Sequence, residues 1–186
     1  MGYFPMCVNL EGRRVLCVGA GPQIEDKLAR LRPFRAALEL LPALSDANLE
    51  PRPALVVIGG LARAEAAAAA RLCACRGIPV NVVDAPELCT FTFPALITRG
   101  ELTISINTGG RSPAAAAQLR RRIERELPER LDEILDWLTQ LRAQLQATLP
   151  PAQRAALLNR AAALAFERGR PLEAVELDGV AEECGI

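Results

Sequence analysis

Three short stretches of this chain combine residue types that do chemistry. The first is Gly19-Ala20-Gly21, which closes the apolar run Arg14-Val15-Leu16-Cys17-Val18 and precedes a stretch of helical pattern. Glycines so placed permit a tight turn and let the main chain approach a pyrophosphate at a helix N-terminus, which makes Gly19 and Gly21 candidate dinucleotide contacts. The third fingerprint position holds Ile24, and Pro22 removes one N–H that would face the phosphates. The acid expected about 20 residues further on is met by Glu39, although Glu39 falls within a strand pattern and not at its end. An ordinary strand-to-helix turn is the plainer reading.

The second stretch is Val80-Asn81-Val82-Val83-Asp84, which puts Asp84 at the end of another apolar run. Open parallel sheets bind their ligands at that edge, so Asp84 is a candidate for proton transfer. With Pro86 and Glu87 after it, Asp84 also suits a plain turn or helix cap. The third stretch is Asn107-Thr108-Gly109-Gly110-Arg111-Ser112-Pro113. Hydroxyls, glycines and an arginine meet there at a helix start, a natural site for carboxylates or phosphates. A simple Ser/Thr cap with glycines is the alternative.

The elements that must position these residues follow from hydropathy and breakers. Strand patterns cover Arg14 to Gly19, Ala37–Leu41, Ala54–Ile58 and Pro79–Val83; helical patterns cover Gln23–Leu31 and the alanine-rich Ala62–Arg76, the latter closed by Gly77. Ser45 to Pro53 reads as loop. This rhythm predicts an α/β fold with a shortened Rossmann-like parallel sheet. Two strands about Arg99-Gly100 and a helix from Pro113 to Leu127 form a strand-helix bridge. Beyond Pro128 the chain is helical, with Leu131, Ile134, Leu135, Leu138, Leu141 and Leu145 on one stripe and a break at Pro150-Pro151. The predicted division is 1–98, 99–127 and 128–186, the last a small helical domain.

Composition limits the chemistry. The chain has 186 residues, enough for one domain with an appendage, and its 22 basic and 22 acidic residues cancel. No overall field draws it to nucleic acid or to an anionic membrane. It has no histidine, which removes every Ser-His or Cys-His mechanism. The six cysteines lack zinc spacing: Cys73-Ala74-Cys75 is not CxxC and has no second pair, so no metal site is expected. No secretory leader pattern opens the sequence and no apolar stretch is long enough to span a bilayer, so a soluble, cytoplasmic protein with reduced thiols is expected.

Taken in order, the segments resemble the precorrin-2 dehydrogenase family, the dehydrogenase/ferrochelatase module of siroheme synthases. The resemblance rests on Tyr3-Phe4-Pro5, Leu10-Glu11-Gly12-Arg13, Val15 to Gly21, Lys27, Gly77 to Asp84 and Pro86 to Cys89. It is strongest over Phe91 to Pro94, Arg99 to Ile104 and Thr108 to Pro113. It implies NAD-dependent oxidation of precorrin-2 to sirohydrochlorin, with iron or cobalt insertion at the same site in some members, and a homodimer in which the strand-helix segment 99–127 is the dimerisation segment. It also implies Asp84 as the catalytic residue. Cofactor contacts would fall at Gly19, Gly21, Pro22, Gln23, Pro42 and Ala43. Contacts to the tetrapyrrole substrate would fall at Asn81, Thr108, Gly109, Gly110, Arg111 and Ser112.

The cofactor side departs from the family pattern. Only Ala43 to Pro53 separates the second strand from the third, where a right-handed crossover takes at least about ten to twelve residues including its helix and the family normally carries a longer stretch with an additional strand. Gly59-Gly60-Leu61-Ala62 replaces the family's Thr-Asp-type segment. A second reading therefore stays open, a tetrapyrrole-binding or chelatase-type homologue that has lost NAD binding.

Overall fold

The computed structural model describes residues 4–186, which form two compact units, 4–93 and 94–186. Tyr3 of the Tyr3-Phe4-Pro5 motif lies outside the described residues.

The first unit is built on β1 (Arg14–Gly19), α1 (Pro22–Leu31), β2 (Ala37–Leu41), β3 (Leu55–Gly59), α2 (Arg63–Cys75) and β4 (Val80–Val82). The four strands are all parallel, in the order β2-β1-β3-β4. Alternation along β1 and β3 explains the continuous apolar runs. Leu16, Val18, Val56 and Ile58 face Ala66, Ala69, Ala70 and Cys73 of α2, while Val15, Cys17 and Val57 face Ile24 and Leu31 of α1. Helices cover both faces, so neither side of the central strands tolerates a polar residue. Each buried Val or Leu contributes roughly 1.5–3 kcal/mol.

The small side chains of α2 sit at steps of three and four on the buried face. Its end is set by Gly77, at φ 59°, with the Gly77 N–H on the Ala74 carbonyl and the Ile78 N–H on that of Cys73. These two bonds satisfy carbonyls the helix would leave open, and they turn Ile78 into the core.

The short crossover has a physical solution. The chain leaves β2 at one side of β1 and enters β3 on the other, with one 3-10 turn, Asp46–Leu49, in place of a helix. This corrects the expectation of plain loop over Ser45 to Pro53. Leu49 is buried beneath that turn. Asn48 carries an Oδ1 that accepts the Ser45 N–H at 2.8 Å, and Arg76 pairs with Glu50 and Asp46.

The second unit opens with an antiparallel hairpin, β5 (Ala95–Arg99) and β6 (Leu102–Ile106), followed by α3 (Pro113–Glu126), α4 (Leu131–Thr148), α5 (Pro151–Arg168) and α6 (Ala174–Glu183). The bridging segment 99–127 thus shares a unit with the C-terminal helices. The hairpin turn rests on α4: a Cβ on Gly100 would lie 2.4 Å from Asp132 Oδ1, and Arg99 Nη1 donates to the Pro128 carbonyl at 3.2 Å. Ile134, Leu141, Leu157, Ala161, Ala165, Leu172 and Val180 form the core of the last three helices. Among the described residues no helix is long and apolar enough to cross a membrane.

Candidate functional site

Two glycine turns close the carboxyl edge of the first sheet. The β1 and β3 ladder ends on the pair Gly19↔Gly59, and both strands run straight into glycine. Gly19 has φ 110°, and a Cβ there would lie 1.8 Å from the Gly59 carbonyl oxygen; a Cβ on Gly60, φ 71°, would lie 1.9 Å from that of Ala20. The two turns therefore interlock backbone to backbone. This is the place where successive connections leave the sheet in opposite directions, from β1 to β2 on one side and onward to β3 on the other. Crevices at such switch points bind ligands in open α/β sheets. The Gly59-Gly60 doublet, noted in the sequence only as a departure, is the partner that the Gly19-Ala20-Gly21 turn requires.

The start of α1 has room for an anion. Gly21 has φ 93°, and a Cβ on it would meet nothing within 4 Å. Ile24 and Glu25 direct their N–H groups to the Gly21 carbonyl, and Pro22 has none, which leaves the Gln23 N–H as the first-turn donor for a ligand. Pro42 and Ala43 follow β2 at the same edge, where Val18 pairs with Leu41, and both are exposed. Glu39, the formal ribose acid, is occupied otherwise: the Arg14 guanidinium hydrogen-bonds it and holds its carboxyl below the usual glutamate range. The glycine turns and the open space at Gly21 fit a dinucleotide pyrophosphate; the end of β2 offers no carboxylate to a ribose.

Asp84 stands just past β4, exposed, with φ 61°. Few non-glycine residues adopt this left-handed conformation, and aspartate is among those that do. It is not a helix cap. The 3-10 turn Pro86–Leu88 begins at Ala85, and the Asp84 Oδ2 instead accepts a hydrogen bond from Gln23 Nε2 at 2.6 Å. The surrounding segment is held by Cys89, whose Sγ accepts the Val82 N–H at 3.1 Å and lies 3.2 Å from the Val82 carbonyl oxygen. Burial pushes the Cys89 thiol up, which favours the protonated, hydrogen-bonding form.

Asn81 points inward. It is 7% exposed, and its Nδ2 donates to the Phe91 carbonyl at 3.0 Å. Its observed work is to fasten the return segment to β4, together with Thr90 Oγ1, which accepts the Val80 N–H at 2.8 Å.

In the second unit, Thr108 to Pro113 forms a tight turn into α3. Gly109 and Gly110 have φ 62° and 77°, and neither Cα has a neighbour on its open side. Most of the turn's amides are satisfied internally: Gly109 N–H by Asn107 Oδ1 at 2.7 Å, Ser112 N–H by Thr108 Oγ1 at 3.3 Å, and Ala115 N–H by Ser112 Oγ at 3.1 Å. Ser112 is thus the N-cap of α3, as the plainer reading had it. The donors left for an anion are the Gly110 and Ala114 N–H groups and the exposed Arg111 guanidinium.

Comparison with known proteins finds relatives for both parts of the chain. Residues 46–95 match a family model described as NAD(P)-binding, and residues 99–126 match one described as sirohaem biosynthesis protein central. The siroheme synthase of Methylococcus capsulatus is 34% identical over 170 residues, 81% of this chain and 36% of that protein. Those of Thioalkalivibrio sulfidiphilus and Azotobacter vinelandii are 32% and 33% identical over 174 residues each, 82% and 83% of this chain and 35% and 38% of those proteins. Among solved structures, SirC, a precorrin-2 dehydrogenase, superposes with a TM-score of 0.66 at 17% identity, covering 98% of this chain and 99% of that one. The class is therefore an α/β unit of NAD(P)-binding type joined to a sirohaem-biosynthesis central segment and a helical region. The chain is a homologue of the siroheme synthases, spans little more than a third of their length, and has the fold of SirC.

Proposed function

We propose that this chain catalyses the dehydrogenation of precorrin-2 to sirohydrochlorin with NAD as oxidant. The observation that carries the reading is the pair of interlocked glycine turns at the switch point, with Asp84 at the same carboxyl edge. The Gly19-Ala20-Gly21 turn and the Gln23 N–H would hold the pyrophosphate, with Pro42 and Ala43 along the ribose, and NAD bound there would supply the hydride acceptor. Loss of a hydride from substrate carbon leaves a proton to be removed, and Asp84 accepts it on its carboxylate. Arg111 would pair with substrate carboxylates as a charge-assisted donor, with the Thr108, Gly109, Gly110 and Ser112 turn shaping its approach. Asn81 serves by fixing the segment that carries Asp84. The reading includes a homodimer built on segment 99–127 and a cytoplasmic setting, where six free thiols stay reduced.

The test is conversion of precorrin-2 followed by absorbance, with and without NAD; turnover independent of NAD overturns the reading. One observation favours a second reading, a tetrapyrrole-binding or chelatase-type homologue without NAD: Glu39 is taken by Arg14 and no acid ends β2. Thermal unfolding separates the two. A ligand at about 100 times its dissociation constant stabilises by roughly 2.7 kcal/mol, so NAD raises Tm under the first reading and only sirohydrochlorin does so under the second.

A further inference from the structure

Gln23 and Asp84 are 61 residues apart in sequence: Gln23 opens the helix that follows β1, and Asp84 lies just past β4, with β3 between those two strands. The Gln23 side chain, from the second position of α1, donates Nε2 to Asp84 Oδ2 at 2.6 Å. The bond joins the turn that would carry the cofactor to the group that would take the proton.

The local structure explains why Asp84 needs such a partner. Its main chain is already fixed, in the left-handed region at φ 61° and behind the Cys89 thiol bonds. Its side chain is exposed, so rotation about its two χ angles is the freedom that remains. Among the described residues, Gln23 is the hydrogen-bond partner of that carboxylate. An amide suits the task better than a lysine or arginine, because it orients an oxygen without forming an ion pair with it. The pyrophosphate contact assigned to Gln23 uses the main-chain N–H, which any residue but proline supplies, so the side chain is available for a second role.

We propose that Gln23 is a positioning residue for Asp84: its side-chain amide fixes the carboxylate for proton acceptance, while its main chain alone serves the cofactor. The proposal rests on the dehydrogenase reading and names a residue that acts through another. Misplacing a reacting group by about 1 Å costs on the order of a hundredfold in rate, so a freed carboxylate should cost at least tenfold.

The experiment has two arms. In the ligand-free 15N-labelled protein, Asp84→Asn should displace the side-chain amide resonances of Gln23, which Gln23→Leu identifies by their loss. In kinetics, Gln23→Leu and Gln23→Asn should lower kcat at least about tenfold with the dissociation constant for NAD within about twofold of the parent. Gln23→Glu, which sets a second carboxylate against the first, should lower it further. Unmoved amide resonances, an unchanged kcat, or NAD affinity falling in step with kcat would each overturn the proposal. A parent protein with no NAD-dependent turnover overturns the dehydrogenase reading and the role with it, while the amide shift decides separately whether the bond exists.

Discussion

One guanidinium holds both oxygens of Glu39: Arg14 Nε reaches Oε1 and Nη2 reaches Oε2, each at 2.7 Å. The same arginine donates through Nη1 to the carbonyls of Asn48 and Pro51, at 2.8 Å each. Arg14 therefore joins β1, β2 and the short crossover, and Glu39 belongs to that brace and not to a ribose site. Its folded pKa lies below the unfolded value, so its contribution is fully present above the usual glutamate range and is lost as pH falls through the folded pKa. Glu39→Gln should lower Tm at neutral pH, flatten the loss of Tm below about pH 4.5, and leave any preference between NAD and NADP unchanged. Melting curves across pH 3–7 and cofactor titrations check both halves.

Asp84 offers a clean substitution because of its backbone. At φ 61° an alanine or leucine would add strain, whereas asparagine tolerates the same conformation and keeps the shape of the side chain. Asp84→Asn should thus keep the parental Tm and lose turnover by at least about a hundredfold, the scale of a general acid–base group. Parental activity in this variant would remove Asp84 from the mechanism.

The glycines at the sheet edge separate structural need from ligand space. In Gly60→Ala the new Cβ falls 1.9 Å from the Ala20 carbonyl oxygen, so two main chains must part. A loss of about 3 kcal/mol or more is expected, read by denaturant titration. In Gly21→Ala the Cβ meets no protein atom within 4 Å, and the cost is the backbone strain of φ 93° with ψ 179°, about 1–3 kcal/mol. That variant should fold but lose the NAD-induced rise in Tm, because its methyl occupies the space assigned to the pyrophosphate.

The sequence was legible where local chemistry decides the outcome. The runs at Val15 to Val18 and Leu55 to Ile58 read as strands buried on both faces, because nothing polar interrupts them, and Gly77 marked the end of α2. Pro113 and Ser112 marked the start of α3 in the same way. What stayed hidden depends on residues far apart in the chain. No local pattern says that Glu39 meets Arg14, that Gly60 abuts Ala20, or that Gln23 reaches Asp84. The crossover was half legible: its prolines and polar residues read as loop and not as a full helix, but the 3-10 turn that seats Leu49 depends on where β1 and α2 lie.

Arg111 and Ser112 are neighbours with opposite expectations. Ser112 Oγ accepts the Ala115 N–H at 3.1 Å, so Ser112→Ala removes an N-cap and should cost about 1 kcal/mol of stability with little change in substrate affinity. Arg111 is exposed and makes no side-chain hydrogen bond or ion pair among the described residues, so Arg111→Ala should leave Tm unchanged. A charge-assisted hydrogen bond to a carboxylate contributes about 1.5–3 kcal/mol, which converts to a rise in KM for the tetrapyrrole of roughly 10- to 150-fold with kcat retained. Because the contact is electrostatic and exposed, added salt should weaken substrate binding in the parent more than in the variant. An equal response to salt in both proteins, or a KM that stays at the parental value, would take Arg111 out of substrate recognition and leave the turn as a helix cap alone.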